Sequence, residues 1–464
     1  MNIHTNIFSQ RTRLTVFTVM TTMVLLVSSM VLLLQKAETV FHGDESGWIA
    51  SGYYYTHLLL DRDFGWRKWH NQDLGPWGYM NPHVGKWLIG LPLEWQIEEN
   101  TFTHLYNFDK SLAENKNEGN VPSKEMLLHA RAVSAIFGGL CCAVGFAVGY
   151  LCYGRWVGIL SPALLLSNTL FCTYATRAMT DMPYNFFLLC ATFCTILLFL
   201  KRSKRHTKLV SMLIGVSIGL CCSVKITGIV LGCLFMGVIL PYRGLVERNK
   251  KEILASFTVF FVSAIAVIYS LNPLFWPDLS AIQVDTLGHE LTSIPQELSK
   301  SISKGEVPRR AEFEMYISKY PQLSNLSRML IFPYLFLKWN SLMDQQKSRW
   351  SDDWHGNRLK TFHKSLLMSH STFFLESFFM LIGSIVCIKR IYTSLCEKKS
   401  TLGSIPFLYL LCNYLFILTF MKLNWERYYL PTVIASKIMV AVGIVGLITL
   451  MHHYYRHYQE AKMH

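Results

Sequence analysis

Apolar residues along this chain gather into blocks about as long as the roughly 17–25 helical residues needed to cross a bilayer. They fall near 14–35, 126–152, 156–175, 183–200, 209–223, 226–242, 253–271, 372–388, 404–421 and 430–451. None has the alternation of a barrel strand, and a helix satisfies its own backbone in lipid, so the pattern predicts an all-α polytopic transmembrane bundle of about 10–12 spans. Residues 209–242 read as two short helices meeting at Lys225, because that charge interrupts a stretch too long for one span. Segment 326–337 is too short to cross, carries Pro333 and is placed at the interface. The expected layout is a signal anchor at 1–35, an outer loop at 36–125, a transmembrane core at 126–271, a second outer loop at 272–371, and further spans with a tail at 372–464.

Between the blocks, positive charge is one-sided. Lys201-Arg202-Ser203-Lys204-Arg205, Arg243 to Lys251, Lys389-Arg390 and Lys398-Lys399 share one face of the ten-span topology, which makes that face and both termini cytoplasmic. The two long loops then face the periplasm, the cell exterior or the lumen of the endoplasmic reticulum. In the first, 47–60 and 84–92 mix aromatic and aliphatic residues below spanning length, as helices lying in the headgroup plane do. The second, holding Trp276, Trp339, Trp350, Trp354, Asp352-Asp353 and His355, has the length of a lid or acceptor surface. Arg11 and Arg13 precede the first block and no small-residue cleavage site follows Leu34-Gln35-Lys36, so that block is a retained anchor.

Composition agrees: a 51% hydrophobic content and a mean hydropathy of +0.27 exclude a soluble chain. The net charge of +14 arises outside the two long loops, which together are slightly acidic, and fits an anionic leaflet, so nucleic acid is not an expected partner. All 12 cysteines lie in or beside the spans, which leaves no disulfide framework or thiolate site in the outer loops. Phosphate-binding glycine loops and an HExxH helix are missing, so any chemistry draws on an activated substrate or a gradient.

The pair Asp44-Glu45, in Phe41-His42-Gly43-Asp44-Glu45-Ser46 just beyond the first block, serves no packing need and marks a polar site. With this pair, with Asn81-Pro82-His83-Val84-Gly85-Lys86, Arg131, Arg177-Ala178-Met179-Thr180-Asp181, Asn272-Pro273-Leu274-Phe275-Trp276-Pro277-Asp278 and Arg427-Tyr428-Tyr429-Leu430-Pro431, the chain resembles the GT-C type of polyprenyl-phosphate-sugar-dependent glycosyltransferases. Protein O-mannosyltransferases and the bacterial aminoarabinose-type transferases belong there. They share an Asp-Glu pair after the first span, and many carry His-Pro-Pro-Leu-Gly-Lys, of which only the first Pro and the Gly-Lys correspond here. The resemblance runs from about 14 to 450. It implies a polyprenyl-phosphate-linked donor, a hexose such as mannose, and a protein, lipid or glycan acceptor.

An inverting transfer needs a base for the acceptor hydroxyl, and Asp44 is the candidate, with Glu45 orienting an arginine such as Arg131 or the acceptor. A fixed cation must meet the leaving phosphate: Lys86, Arg427 and Lys225, in that order. Snorkelling to the interface is the competing account of each. Asp181 would line the acceptor site or cap a helix, and Tyr428 adjoins Arg427. No cofactor is required. His42, Asp44, Glu45 and Asp181 are compatible with a divalent ion, although no ligand spacing demands one. His453 and His457 read as the basic end of a helix. A secondary transporter and a non-catalytic scaffold are the alternatives: against the first, the charges sit in a long outer loop and at helix ends without an evident internal repeat, and the second leaves these motifs unrelated to one another.

Overall fold

The computed structural model describes residues 3–37, 40–63, 66–69, 81–94, 105–200, 203–247, 250–273, 373–398, 401–419 and 426–463, with Leu74 and Gly78. Calls on 274–372, including the short segment 326–337 and the tryptophans of the second outer loop, lie outside these residues.

Helices form where the apolar blocks lie, and no strand occurs among the described residues. The first, α1, covers Ile3–Gln35. Next come α2 (Gly43–Leu60), α3 (Val84–Glu94) and α4 (Leu112–Asn117). The bundle continues with α5 (Lys124–Tyr153), α6 (Arg155–Leu166), α7 (Thr169–Ala175), α8 (Asp181–Phe199), α9 (Lys204–Val224), α10 (Thr227–Glu247) and α11 (Lys250–Ser270). After the second outer loop come α12 (Phe373–Glu397), α13 (Ile405–Thr419) and α14 (Leu430–Met463). Among the described residues six helices are long and apolar enough to cross a membrane: α5, α8, α9, α10, α11 and α14 with the turn before it.

Two details refine the expected spans. The block 156–175 is broken: α6 and α7 meet at 72°, because Asn168 ends one helix and caps the next, accepting from the Phe171 N–H at 2.9 Å. The break between α9 and α10 does fall at Lys225, whose extended backbone (φ −143°, ψ 126°) cannot continue a helix.

Packing brings the two outer-loop helices down onto the bundle. α5 lies against α1, α6 and α8, while α9 is sandwiched by α8 and α11. α2 and α3 cross so closely that a Cβ on Gly90 would collide with the Gly52 carbonyl. α3 rests in turn on α5 and α9. Just before α3, the His83 N–H donates to Asn272 Oδ1 (3.4 Å) and Asn272 Nδ2 to Ser223 Oγ (3.0 Å), tying this segment to the C-terminal end of α9. Residues 105–120 are cross-linked by Asn115, which accepts from the Asn107 N–H and donates to the Asn107 and Ser111 carbonyls. The Tyr106 N–H reaches Ser46 Oγ at 2.9 Å, holding this segment over the start of α2.

Candidate active site

The N-terminus of α2 is built by its own residues. The His42 imidazole accepts from the Asp44 N–H at 3.2 Å, and Glu45 Oε2 accepts from the His42 N–H at 2.9 Å, a reciprocal cap that fixes both carboxylates in the first turn. There the positive end of the helix dipole favours their charge. From this turn Asp44 and Glu45 part company.

Glu45 is wholly buried and takes Arg131 in a two-pronged pair, from Nε to Oε1 and from NH2 to Oε2, each at 2.7 Å. Its Oε1 also accepts from the Ala178 N–H at 2.8 Å, and Arg131 NH1 donates to the Ala37 carbonyl at 2.6 Å. One sealed ion pair thus joins the end of α1, the start of α2, α5 and the approach to α8. The Glu45 carboxylate is thereby fully engaged.

Asp44 is partly exposed instead. Its Oδ2 accepts from Arg427 NH1 at 2.8 Å, with the side chains 18% and 13% exposed, against 0% and 3% for Glu45 and Arg131. Arg427 sits on the one-turn helix Glu426–Tyr429 that leads into α14, with the Tyr428 ring 5.7 Å from its guanidinium. Asp181, the first residue of α8 rather than its cap, pairs with Lys225 at 2.5 Å; the cap position belongs to Thr180. Burial pulls the Lys225 ammonium below its ordinary value, and the Asp181 carboxylate pulls back. His42 is likewise held down, first by burial and further by Arg177 and Arg427, with Asp44 opposing.

Arg177, which the sequence reading quoted only inside a motif, is a third cation here. It lies 5.7 Å from the Tyr174 ring, makes no ion pair among the described residues, and buries an Nε that has no hydrogen-bond partner there. Its signal was its place four residues before Asp181. The cluster therefore holds Arg177, Lys225 and Arg427 against Asp44 and Asp181, an excess of positive charge suited to a phosphate.

Lys86 lies elsewhere. It is fully buried, donates to the Gly78 carbonyl and stands 4.3 Å from the Tyr55 ring, within an aromatic group that includes Trp69 and His83. Burial alone drives its ammonium well below the usual lysine range. The four side chains offered for a divalent ion are engaged otherwise: Glu45 by Arg131, Asp44 by Arg427, Asp181 by Lys225, and His42 by the helix cap. No three metal-ligating side chains converge among the described residues.

Residues 78–275 match the family model described as dolichyl-phosphate-mannose-protein mannosyltransferase, a stretch that includes Lys86, Arg131, Arg177, Asp181 and Lys225. The fold is similar to the archaeal oligosaccharyltransferase AglB from Archaeoglobus fulgidus in complex with an inhibitory peptide and a dolichol-phosphate, at TM-score 0.52 and 12% identity over 95% of this chain. The likeness is one of fold. The apo form of the Archaeoglobus fulgidus enzyme aligns at TM-score 0.53 with the same identity and coverage. This chain spans about half the length of those oligosaccharyltransferase chains, 52% in each case. ArnT from Cupriavidus metallidurans bound to undecaprenyl phosphate aligns more loosely, at TM-score 0.35 and 12% identity over 93% of this chain and 77% of that one. No curated protein matches the sequence.

Proposed function

We propose that this protein transfers a sugar from a polyprenyl-phosphate carrier to an acceptor hydroxyl, with inversion, at the end of the bundle where α2 begins. The observation that carries the reading is the placement of the Asp44 carboxylate, half-open, among Arg427, Lys225 and Arg177. Such a site offers a base and a phosphate cradle side by side. Asp44 takes the acceptor proton as the acceptor oxygen bonds to the anomeric carbon and the bond from that carbon to the carrier phosphate breaks. The leaving phosphate gains charge as it departs, and Arg427 and Lys225 stabilise it more in the transition state than in the bound donor. Glu45 and Arg131 hold the first turn of α2, and so Asp44, in register with α8.

Mannose is the proposed sugar, from the family that residues 78–275 match. A peptide acceptor is favoured by the Archaeoglobus fulgidus relative, one structure of which carries an acceptor peptide with an NVT sequon. The active face is proposed to be the outer or luminal one, since the basic connections lie at the opposite end of the spans.

The test is incubation of the purified protein in lipid with radiolabelled polyprenyl-phosphate sugars and a crude acceptor extract, beside Asp44→Asn. Wild type should transfer label from the mannosyl donor. The variant should lose about 10²–10⁴-fold in rate, the range of a general base. Equal turnover by D44N removes Asp44 from the mechanism, and no transfer from any donor removes the transferase reading.

A further inference from the structure

We propose that the Asp44 and Asp181 carboxylates stand, in the donor-free chain, where the donor's phosphate oxygens bind, so that the donor uncovers the base by displacing it from Arg427. The inference rests on the transferase reading and adds a gate to it.

Two kinds of ion pair meet at this site. The Glu45–Arg131 pair is sealed and saturated: its carboxylate accepts from two arginine nitrogens and two backbone N–H groups. The Asp44–Arg427 and Asp181–Lys225 pairs are different. Among the described residues Asp44 has one close side-chain partner, Arg427 at 2.8 Å, with His42 Nδ1 at 4.0 Å. Asp181 has Lys225 on Oδ1, while its Oδ2 is buried with no partner among the described residues. A buried carboxylate oxygen without a donor is costly, so this arrangement is held by the cation rather than by its surroundings.

Both pairs also block the chemistry assigned to their members. An N–H of Arg427 that is given to Asp44 is not given to phosphate. A carboxylate lone pair engaged by a guanidinium is a poor proton acceptor. The resting site is therefore silent as a base and closed as a cradle. Arg177 supplies the way in, being the cation of this cluster that makes no ion pair among the described residues. A phosphate drawn first to Arg177 then competes for Arg427 and Lys225. The exchange is purely ionic: Arg427 trades a carboxylate for a phosphate oxygen, Asp44 is released as a carboxylate, and no proton or covalent bond moves. Asp44 is then free only when a donor is present to be attacked.

An unusual consequence follows. Removing the catalytic carboxylate should improve binding of the carrier. The probe is polyprenyl phosphate without sugar, titrated into the full-length protein in nanodiscs. Asp44→Asn and Asp181→Asn should each bind it at least tenfold more tightly than wild type. Glu460→Gln, which removes one negative charge at the far end of α14, roughly 50 Å along a helix of that length, should bind within twofold. In infrared difference spectra of wild type, the carboxylate band that D44N lacks should shift when the probe binds. Wild-type binding with unchanged or weaker binding in both Asp variants, or an unshifted band, overturns the displacement and leaves the transferase reading standing. Failure of wild type to bind the probe or transfer any label takes both down.

Discussion

Replacing Arg131 with methionine tests whether the sealed pair is the keystone described above. Methionine keeps much of the apolar stem and removes three charge-assisted hydrogen bonds, two to Glu45 at 2.7 Å and one to the Ala37 carbonyl at 2.6 Å. Among the described residues Glu45 then keeps, at 0% exposure, the Ala178 and His42 N–H groups alone. Stranding one member of a buried pair costs about 3–5 kcal/mol, a large part of the roughly 5–15 kcal/mol that holds a typical domain folded. The R131M, E45Q and R131M/E45Q variants complete a double-mutant cycle, read by denaturant unfolding in detergent. R131M should lose about 3–5 kcal/mol, and the double variant should regain part of it because no carboxylate is left stranded. Turnover should fall at least about tenfold even in the double variant, since the first turn of α2 loses its tie to α8 and a small misplacement of the base is expensive. An R131M protein within about 0.5 kcal/mol of wild type, the span of an ordinary surface change, would refute the keystone role.

Three further outcomes are expected. Arg427→Met should cut transfer by about 10²–10³-fold, the loss typical of one preorganised charge donor, and a normal rate would show that the phosphate is met elsewhere. Lys437 pairs with Glu376 at 2.6 Å between α14 and α12, both nearly sealed, so K437M should destabilise by about 3–5 kcal/mol and E376Q/K437M should be far closer to wild type; equal melting of the two variants would contradict this. Lys86, its ammonium held well below the ordinary value by burial, binds fewer protons folded than unfolded, so wild-type stability rises with pH between the folded value and the unfolded value of about 10.4. K86M should flatten that rise, and stability profiles of identical slope would show that the ammonium is solvated.

The helices were legible because crossing a bilayer leaves a blunt signature, a long apolar block, and even the break at Lys225 announced itself as a charge inside one. The bend between α6 and α7 did not, since Ser167-Asn168 is a small polar interruption within an otherwise continuous apolar run. Asp44 and Glu45 were visible as charges with no packing purpose, and Arg131 as a reachable cation. What separated the two carboxylates was invisible: which one points inward depends on helical phase, a 100° turn per residue, and on where α5 stands. Lys86 shows the reverse failure. Its neighbours Trp87, Leu88 and Ile89 read as an interfacial stripe, whereas the contact of Gly90 with Gly52 draws α3 against α2 and closes the lysine in. Arg177 stayed inconspicuous because a lone arginine near a helix start is usually solvated, and only the fold puts it beside His42 and Tyr174.

The order in which the chain is made gives the Asp44–Arg427 contact a further meaning. Its two residues are 383 positions apart, while Glu45 and Arg131 are 86 apart. A chain emerging from the ribosome at about 5–20 residues per second therefore secures the first turn of α2 early, once α5 has been inserted, and waits some tens of seconds for its arginine. During that interval the carboxylate lies in a half-built bundle that already contains α8 and α9. The arrival of α14 thus brings Arg427 to Asp44 and completes the proposed centre.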